Sequence, residues 1–360
     1  MIEAAEAQLY PIEIKGKFGY VNNNGELVIQ PIYDLAMPFN SGYAVVALGL
    51  QPCLININNK RLIDTGLYTQ ITEYSEGLCM VEDFKRRKHY VDTNNQKIIS
   101  LPIEIYEARP FHSGIAVVSK QTIYTEKKYG RDISTLVYRF AYINMNGDTL
   151  SGFDFEDCGD FYNGFSRAIK GNKFGLFNTS LKEVLPFQYN QLSQVNEGKV
   201  IVNEQNKFGI YAVTGKWVLK PTYPLIYDFN DGMAGFMNDK NLYGYLNEDG
   251  AVVIKPIYLN IRPFSEGKAA VFADGKWGFI NKQGAWVIRN VYDNARMFNE
   301  DLSAVMYKRK WGFINEEGKL VIACDFDAVG DFNNGLALVE LNEVVVYITK
   351  RGVVVPQLKK

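Results

Sequence analysis

The sequence predicts an all-β fold: a repeat array of about ten three-stranded antiparallel units stacked as an open twisted solenoid, with a closed β-propeller as the alternative. Three observations carry this. GKWGFINKQGAWVI at 275–288 returns as RKWGFINEEGKLVI at 309–322, and Gly312 has counterparts at Gly278, Gly244, Gly209 and Gly175, in steps of 34, 34, 35 and 34 residues. Aromatic residues make up 14% of the 360, with 23 Tyr, 22 Phe and 4 Trp, a composition that favours strands. Between the motifs lie short apolar runs punctuated by Gly, Pro and Asn.

Each repeat spells out three strands. In the clearest copy, 310–314 is followed by a turn at 315–318, a second strand at 319–322, a connector, and a third strand at 336–341. Gly318 ends the turn, where a positive φ costs glycine nothing. Asn59 and Asn95 stand at that place in weaker copies, and Asn is the next most tolerant residue there. Leu181 does not suit it, so that turn is expected to be built differently. The connectors, PIYDLAMPFNSG at 31–42 and PIYLNIRPFSEG at 256–267, begin with a proline that ends pairing and close with an FxxG turn. Their Tyr and Phe are expected to anchor the connector in the core.

Trp311 and Phe313 face one way along their strand and Ile314 the other, while LVI and LALV are apolar on both sides. Sheets with two apolar faces must be covered on both, so the repeats stack. A glycine inside a strand marks close approach, and Gly312 is expected to receive a large side chain from the adjacent repeat. Upstream the frame persists at Gly19, Cys53, His89 and Ala141, and a last partial copy puts Val346 at the same position. The chain opens on a third-strand equivalent at 9–14 and ends on first and second strands, so whole meanders run from end to end. Ten units also exceed the usual propeller range of about four to eight blades. The whole chain, 1–360, is therefore expected to be a single array, with MIEAAEAQ as an end cap and one inserted projecting hairpin at 119–139.

With KWGFIN at 276–281 and 310–315, and the variants KFGYVN (17–22), KFGLFN (173–178), KFGIYA (207–212) and LYGYLN (242–247), the chain resembles the WG-repeat family of bacterial proteins. The resemblance covers almost the whole chain. It implies non-catalytic β-repeat modules, with no shared catalytic residues to carry over.

A formal net charge of −1 argues against a nucleic-acid-coating role, which draws on a basic surface. Cys53, Cys79, Cys158 and Cys324 lie far apart with no CxxC spacing, so neither zinc nor a disulfide framework is expected. Cys79 and Cys324 suit small buried hydrophobes near strands. No apolar run approaches the roughly 18 residues of a membrane helix, and the start lacks a basic region followed by an apolar core. A cytoplasmic protein is expected, or an exported one had a leader been removed. The two histidines, His89 and His112, fall at unrelated places in neighbouring repeats, and no GxSxG, HExxH, P-loop or GxGxxG arrangement occurs. Asp34, Asp228 and Asp293 sit beside connector aromatics, as turn caps do. No enzymatic activity, metal or cofactor is expected.

Two places break the pattern. VEDFKRRKHY at 81–90 crowds Lys85, Arg86, Arg87 and Lys88 into one link, and the stretch 117–144 becomes a long strand-like run with a turn near Tyr129 and Gly130. Taken as consecutive links between repeats, both are expected on one edge of the array. Arg86, Arg87, Lys127, Lys128, Tyr129 and Arg131 there form the candidate site for an acidic or mixed protein surface. The function expected is a protein-binding module or scaffold, one form being an inhibitor or immunity-type protein that caps its partner. The alternative is a carbohydrate or cell-envelope binder, which requires exposed aromatics in register from repeat to repeat.

Overall fold

The computed structural model describes residues 8–355, so the expected cap MIEAAEAQ, apart from Gln8, lies outside the described residues. Every regular element among them is a strand, and the strands form ten antiparallel sheets, seven of four strands and three of three. The chain divides into two compact units, residues 8–22 with 27–189 and residues 23–26 with 190–355. Each holds five of the sheets and is described by itself.

In the second unit one sheet runs Asn294–Asn299, Leu302–Tyr307, Lys310–Asn315, Leu320–Phe326 in spatial order. The strand expected to complete this repeat, Leu336–Leu341, lies instead in the next sheet, between Ala328–Val329 and Val344–Thr349. The expectation of three-stranded units is thereby corrected, because sequence repeat and sheet are out of phase. The connector is the cause: after its aromatic residue the chain leaves one sheet and gives two residues, such as Asn260–Ile261, to the edge of the next.

The turn at 315–318 closes as expected. Gly318 has φ +79°, its N–H donates to the Asn315 carbonyl at 2.9 Å, and the Asn315 side-chain oxygen takes the N–H of Lys319 at 2.9 Å. Asn59 and Asn95 both take φ +59°. Leu181 is a correction, since its turn is built in the same way. It adopts φ +53°, with its N–H on the Asn178 carbonyl at 2.8 Å and the Asn178 side chain accepting from Ser180 and Lys182 at 3.1 and 3.0 Å. Those bonds offset a left-handed residue's cost of about 1–2 kcal/mol.

Gly312 is the second correction. A Cβ there would lie 2.6 Å from the Ile322 carbonyl oxygen and 2.8 Å from the Ala323 main chain, all within its own sheet and not in the adjacent repeat. Trp311 pairs with Phe326 but Phe313 with Ile322, so the partner strand carries two surplus residues that bulge over the glycine. The same jump occurs opposite Gly19, Gly175, Gly209, Gly244 and Gly278. Beside Cys53 the partner strand ends at Ile63 without it, and a side chain has room.

Sheets stack face to face, and the apolar clusters lie between neighbours. Tyr245, Ile254 and Tyr258 of one sheet meet Ile261, Phe264 and Val271 of the next. Connector aromatics are anchors: Phe229, Phe264, Phe298 and Phe332 are each 1% exposed. Tyr20, Tyr90 and Tyr245 also donate from their hydroxyls to connector carbonyls of Met37, Arg109 and Arg262, each at 2.7 Å. Two further series join successive sheets. Gly250, Gly284, Gly318 and Gly352 lie against Leu219, Ile254, Ile288 and Ile322, and in the same compact unit Gly25 lies against Val355. In the FxxG turns a carboxylate accepts main-chain N–H groups of the following turn: Glu197 from Gly232 at 3.0 Å, Asp231 from Gly267 at 2.7 Å, Glu266 from Asp301 at 3.0 Å, and Glu300 from Gly335 at 2.9 Å. In the first unit Glu76 holds Ser113 and Gly114 at 2.6 and 2.8 Å.

Candidate functional site

The link at 83–87 is a hairpin within one sheet, joining Cys79–Glu82 to Lys88–Val91. The long insertion likewise joins two strands of one sheet, Ile115–Lys128 and Arg131–Asn144. Both were expected to link successive repeats; they are internal hairpins of adjacent sheets, and the connectors make the crossings.

Within the first link Asp83 organises the turn. One carboxylate oxygen accepts the N–H groups of Lys85 and Arg87 at 2.8 and 3.0 Å, and the other takes Arg87 Nε at 2.8 Å. Burial pushes this carboxyl up, but the bonds from the Arg87 main chain and guanidinium and from Lys85 outweigh it and hold it far below the ordinary range. Arg87 is thus committed to its own turn. Arg86, at φ +60°, occupies the position that glycine fills elsewhere, and its side chain projects into solvent. Lys88 is buried and paired with Glu82 at 2.9 Å. His89 is buried against Ser100 at 3.0 Å; burial first, then Lys97, lowers its pKa. Among the described residues no group of three or more His, Cys, Asp or Glu converges as a metal set.

The two strands of the insertion pair without interruption from Ile115 with Asn144 to Lys128 with Arg131. Tyr129 and Gly130 form the two-residue turn at φ +54° and +74°, a hairpin type that matches strand twist. Tyr129 is fully exposed. Lys127, Lys128, Tyr129 and Arg131 therefore gather at the ribbon tip, where the side chain of Lys128 lies outside the described part. Arg86 is not with them. It lines a groove of about 960 Å³ at the foot of the ribbon, shared with Lys85, Ile103, Glu104, Tyr106 and Gln121. At about 3.3 Å per residue, Gln121 and the tip stand roughly 20 Å apart, so the residues expected to form one site form two clusters.

Several groove residues had escaped the sequence reading. The rings of Tyr106 and Tyr138 meet at a tilt of 51° with centres 4.9 Å apart, and the interaction of their hydroxyls raises the Tyr106 pKa and lowers that of Tyr138. Gln121 donates to the Tyr138 hydroxyl at 3.2 Å. Above this pair, on the same ribbon face by register, lie Ile123 and Leu136, 70% and 57% exposed. A turn at 129–130 already fixes these cross-strand pairs, so that signal was present in the sequence. The contact of Tyr106 with Tyr138 has no local signal.

In sequence, the model of the WG containing repeat matches residues 18–49, 140–174, 174–208, 212–241, 243–277, 277–311 and 311–344. The groove and most of the ribbon fall in the stretch it leaves unmatched. No curated protein matches the chain. Among solved structures it is similar to one described as the eukaryotic initiation factor, at 10% identity and TM-score 0.54, covering 98% of this chain and 95% of that one. It is also similar to BamB from Moraxella catarrhalis, at 10% identity and TM-score 0.35, covering 88% of this chain and 90% of that one. The first likeness shows a shared fold and nothing further.

Proposed function

Because the chain belongs to the WG containing repeat family, we propose that it is a non-catalytic protein-binding module whose site is the ribbon and the groove at its foot. The supporting observation is that a ribbon of two 14-residue strands stands beyond its sheet and keeps Ile123, Leu136 and Tyr129 in solvent. Exposed apolar side chains grouped with arginine and tyrosine suit a protein surface. The repeated aromatics are buried, which speaks against the carbohydrate reading.

The test is affinity purification with the intact chain and with a folded variant shortened across 121–138, followed by mass spectrometry. A partner held by the intact chain and lost by the variant supports the proposal. The same partner recovered by both moves the site to the stacked repeats. A cytoplasmic location and a protein partner in preference to nucleic acid belong to the same proposal, and fractionation and the salt dependence of any DNA or RNA binding test them.

For the series of sheets, the unbroken run of meanders supports an open twisted stack. A closed propeller is the alternative. Small-angle scattering separates the two.

A further inference from the structure

The ribbon carries an unfinished ladder. The short strand Ile105–Ala108 pairs with Ile115–Lys128 through Ala108 with Val118, Glu107 with Ser119 and Ile105 with Lys120, and there it stops. Ahead of Ile105 the chain is turned away, with the Ile105 N–H donating to the Pro102 carbonyl at 3.1 Å. From Gln121 to Lys127 the strand has a neighbour on one side only.

The direction of the free groups follows from the hairpin. A two-residue turn makes Lys128 and Arg131 a hydrogen-bonded pair, and bonded positions alternate along an antiparallel ladder. Gln121, Ile123, Thr125 and Lys127 therefore direct their N–H and C=O groups away from the partner strand. The base of the ribbon agrees, since the Val117 carbonyl, in the same alternation, accepts the Arg109 N–H at 2.9 Å. The groove opens along this edge, where the line of Ile105–Ala108 would continue.

Charge in the groove is lopsided. Glu82 is taken by Lys88 at 2.9 Å and Glu107 by Arg109 at 2.7 Å. Lys85 and Arg86 then face only Glu104 among the groove's charged residues without an ion pair. An incoming strand meets main-chain donors and acceptors on one side, the exposed Ile123 as its cross-strand neighbour on the face that Leu136 shares, and two cations beside it.

Resting on the site proposed above, we propose that the open edge Gln121–Lys127 is completed by an extended segment of a partner protein. The segment pairs antiparallel to the Ile115–Lys128 strand, with alternate apolar side chains extending the face of Ile123 and an acidic side chain toward Lys85 and Arg86.

The probe is a displayed library of random 12-residue peptides, selected on the full chain and counter-selected on the variant shortened across 121–138. Enriched peptides are then measured by fluorescence polarisation. Thr125→Pro removes an edge N–H while leaving the bonds to Arg131–Asn144 in place, and Thr125→Val removes the hydroxyl contact with Ser134 but keeps the N–H. The expected result is enrichment of peptides alternating apolar and acidic residues. Their affinity falls at least tenfold in Thr125→Pro and in Arg86→Glu and stays unchanged in Thr125→Val, all variants keeping the circular dichroism of the parent. Equal binding by Thr125→Pro overturns strand addition while leaving the ribbon as the site. Binding retained by the shortened variant, or no enrichment over it, overturns both. Concentration-dependent dimerisation lost in Thr125→Pro overturns the partner assigned and makes the occupant a second copy of the chain.

Discussion

The Glu266 carboxylate accepts the main-chain N–H of Asp301 at 3.0 Å, so a turn in one sheet is completed by a side chain from the sheet before it. Glu266→Ala removes the acceptor and is expected to cost about 1–2 kcal/mol, as for a hydrogen bond to a charged group that remains partly solvated. Glu266→Gln keeps an acceptor and costs less. Urea unfolding of both variants checks the order.

Gly312 and Gly175 occupy equivalent positions but meet different neighbours. A Cβ on Gly312 strikes main-chain atoms of Ile322 and Ala323, whereas one on Gly175 lies 2.9 Å from the edge of the Phe187 ring. A ring can swing aside and a strand cannot. Gly312→Ala is expected to cost about 2–4 kcal/mol and Gly175→Ala clearly less. Equal losses in thermal unfolding would contradict the bulge as the cause.

Arg86 and Arg87 are adjacent in sequence and different in role. Arg87→Ala frees the Asp83 carboxylate and is expected to lower stability by about 1 kcal/mol. Arg86→Ala leaves the melting temperature unchanged, and Arg86→Gly raises it slightly by relieving a positive φ. Differential scanning calorimetry of the three variants reads this directly.

The carboxyls of Asp34, Asp293 and Asp327 are held below their ordinary values, first by hydrogen bonds from Lys17, Lys276 and Lys310. Because the folded values are depressed, their stabilisation is complete above the unfolded carboxyl range near pH 4 and is lost as pH falls through the lower folded values. Melting temperature followed downward from pH 6 should drop less steeply in Lys310→Met than in the parent. Parallel curves would count against the Lys310 pair.

Burial pushes the Cys79 and Cys158 thiols up to about 12 and that of Cys53 up to about 11. Little thiolate forms at pH 8, and these sites are expected to resist iodoacetamide in the native state while Cys324, only partly buried, reacts first. Peptide mapping after timed alkylation identifies the order.

The repeat period, the turn positions and the anchoring aromatics were legible because each is a local steric or packing demand that recurs every 34 residues or so. The phase of the sheets was not legible, because Leu336–Leu341 pairs equally well by pattern with the strand before or after it, and only the crossing point decides. Arg87 was misread for a similar reason: its charge is visible in sequence, but its commitment to Asp83 depends on the shape of the turn. The pairing of Tyr106 with Tyr138 depends on how one hairpin leans toward a short strand of the same sheet, which no period encodes.

The carboxylate series has a consequence for how the chain assembles. Each of its bonds closes a loop of about 35 residues, a tenth of the sequence, so the native contacts are local and acquisition of structure need not wait for distant segments to meet. As the polypeptide emerges from synthesis, a finished sheet already presents an apolar face and a waiting acceptor. The following 35 residues are then expected to dock onto that template, so that order propagates from the N-terminal side one layer at a time.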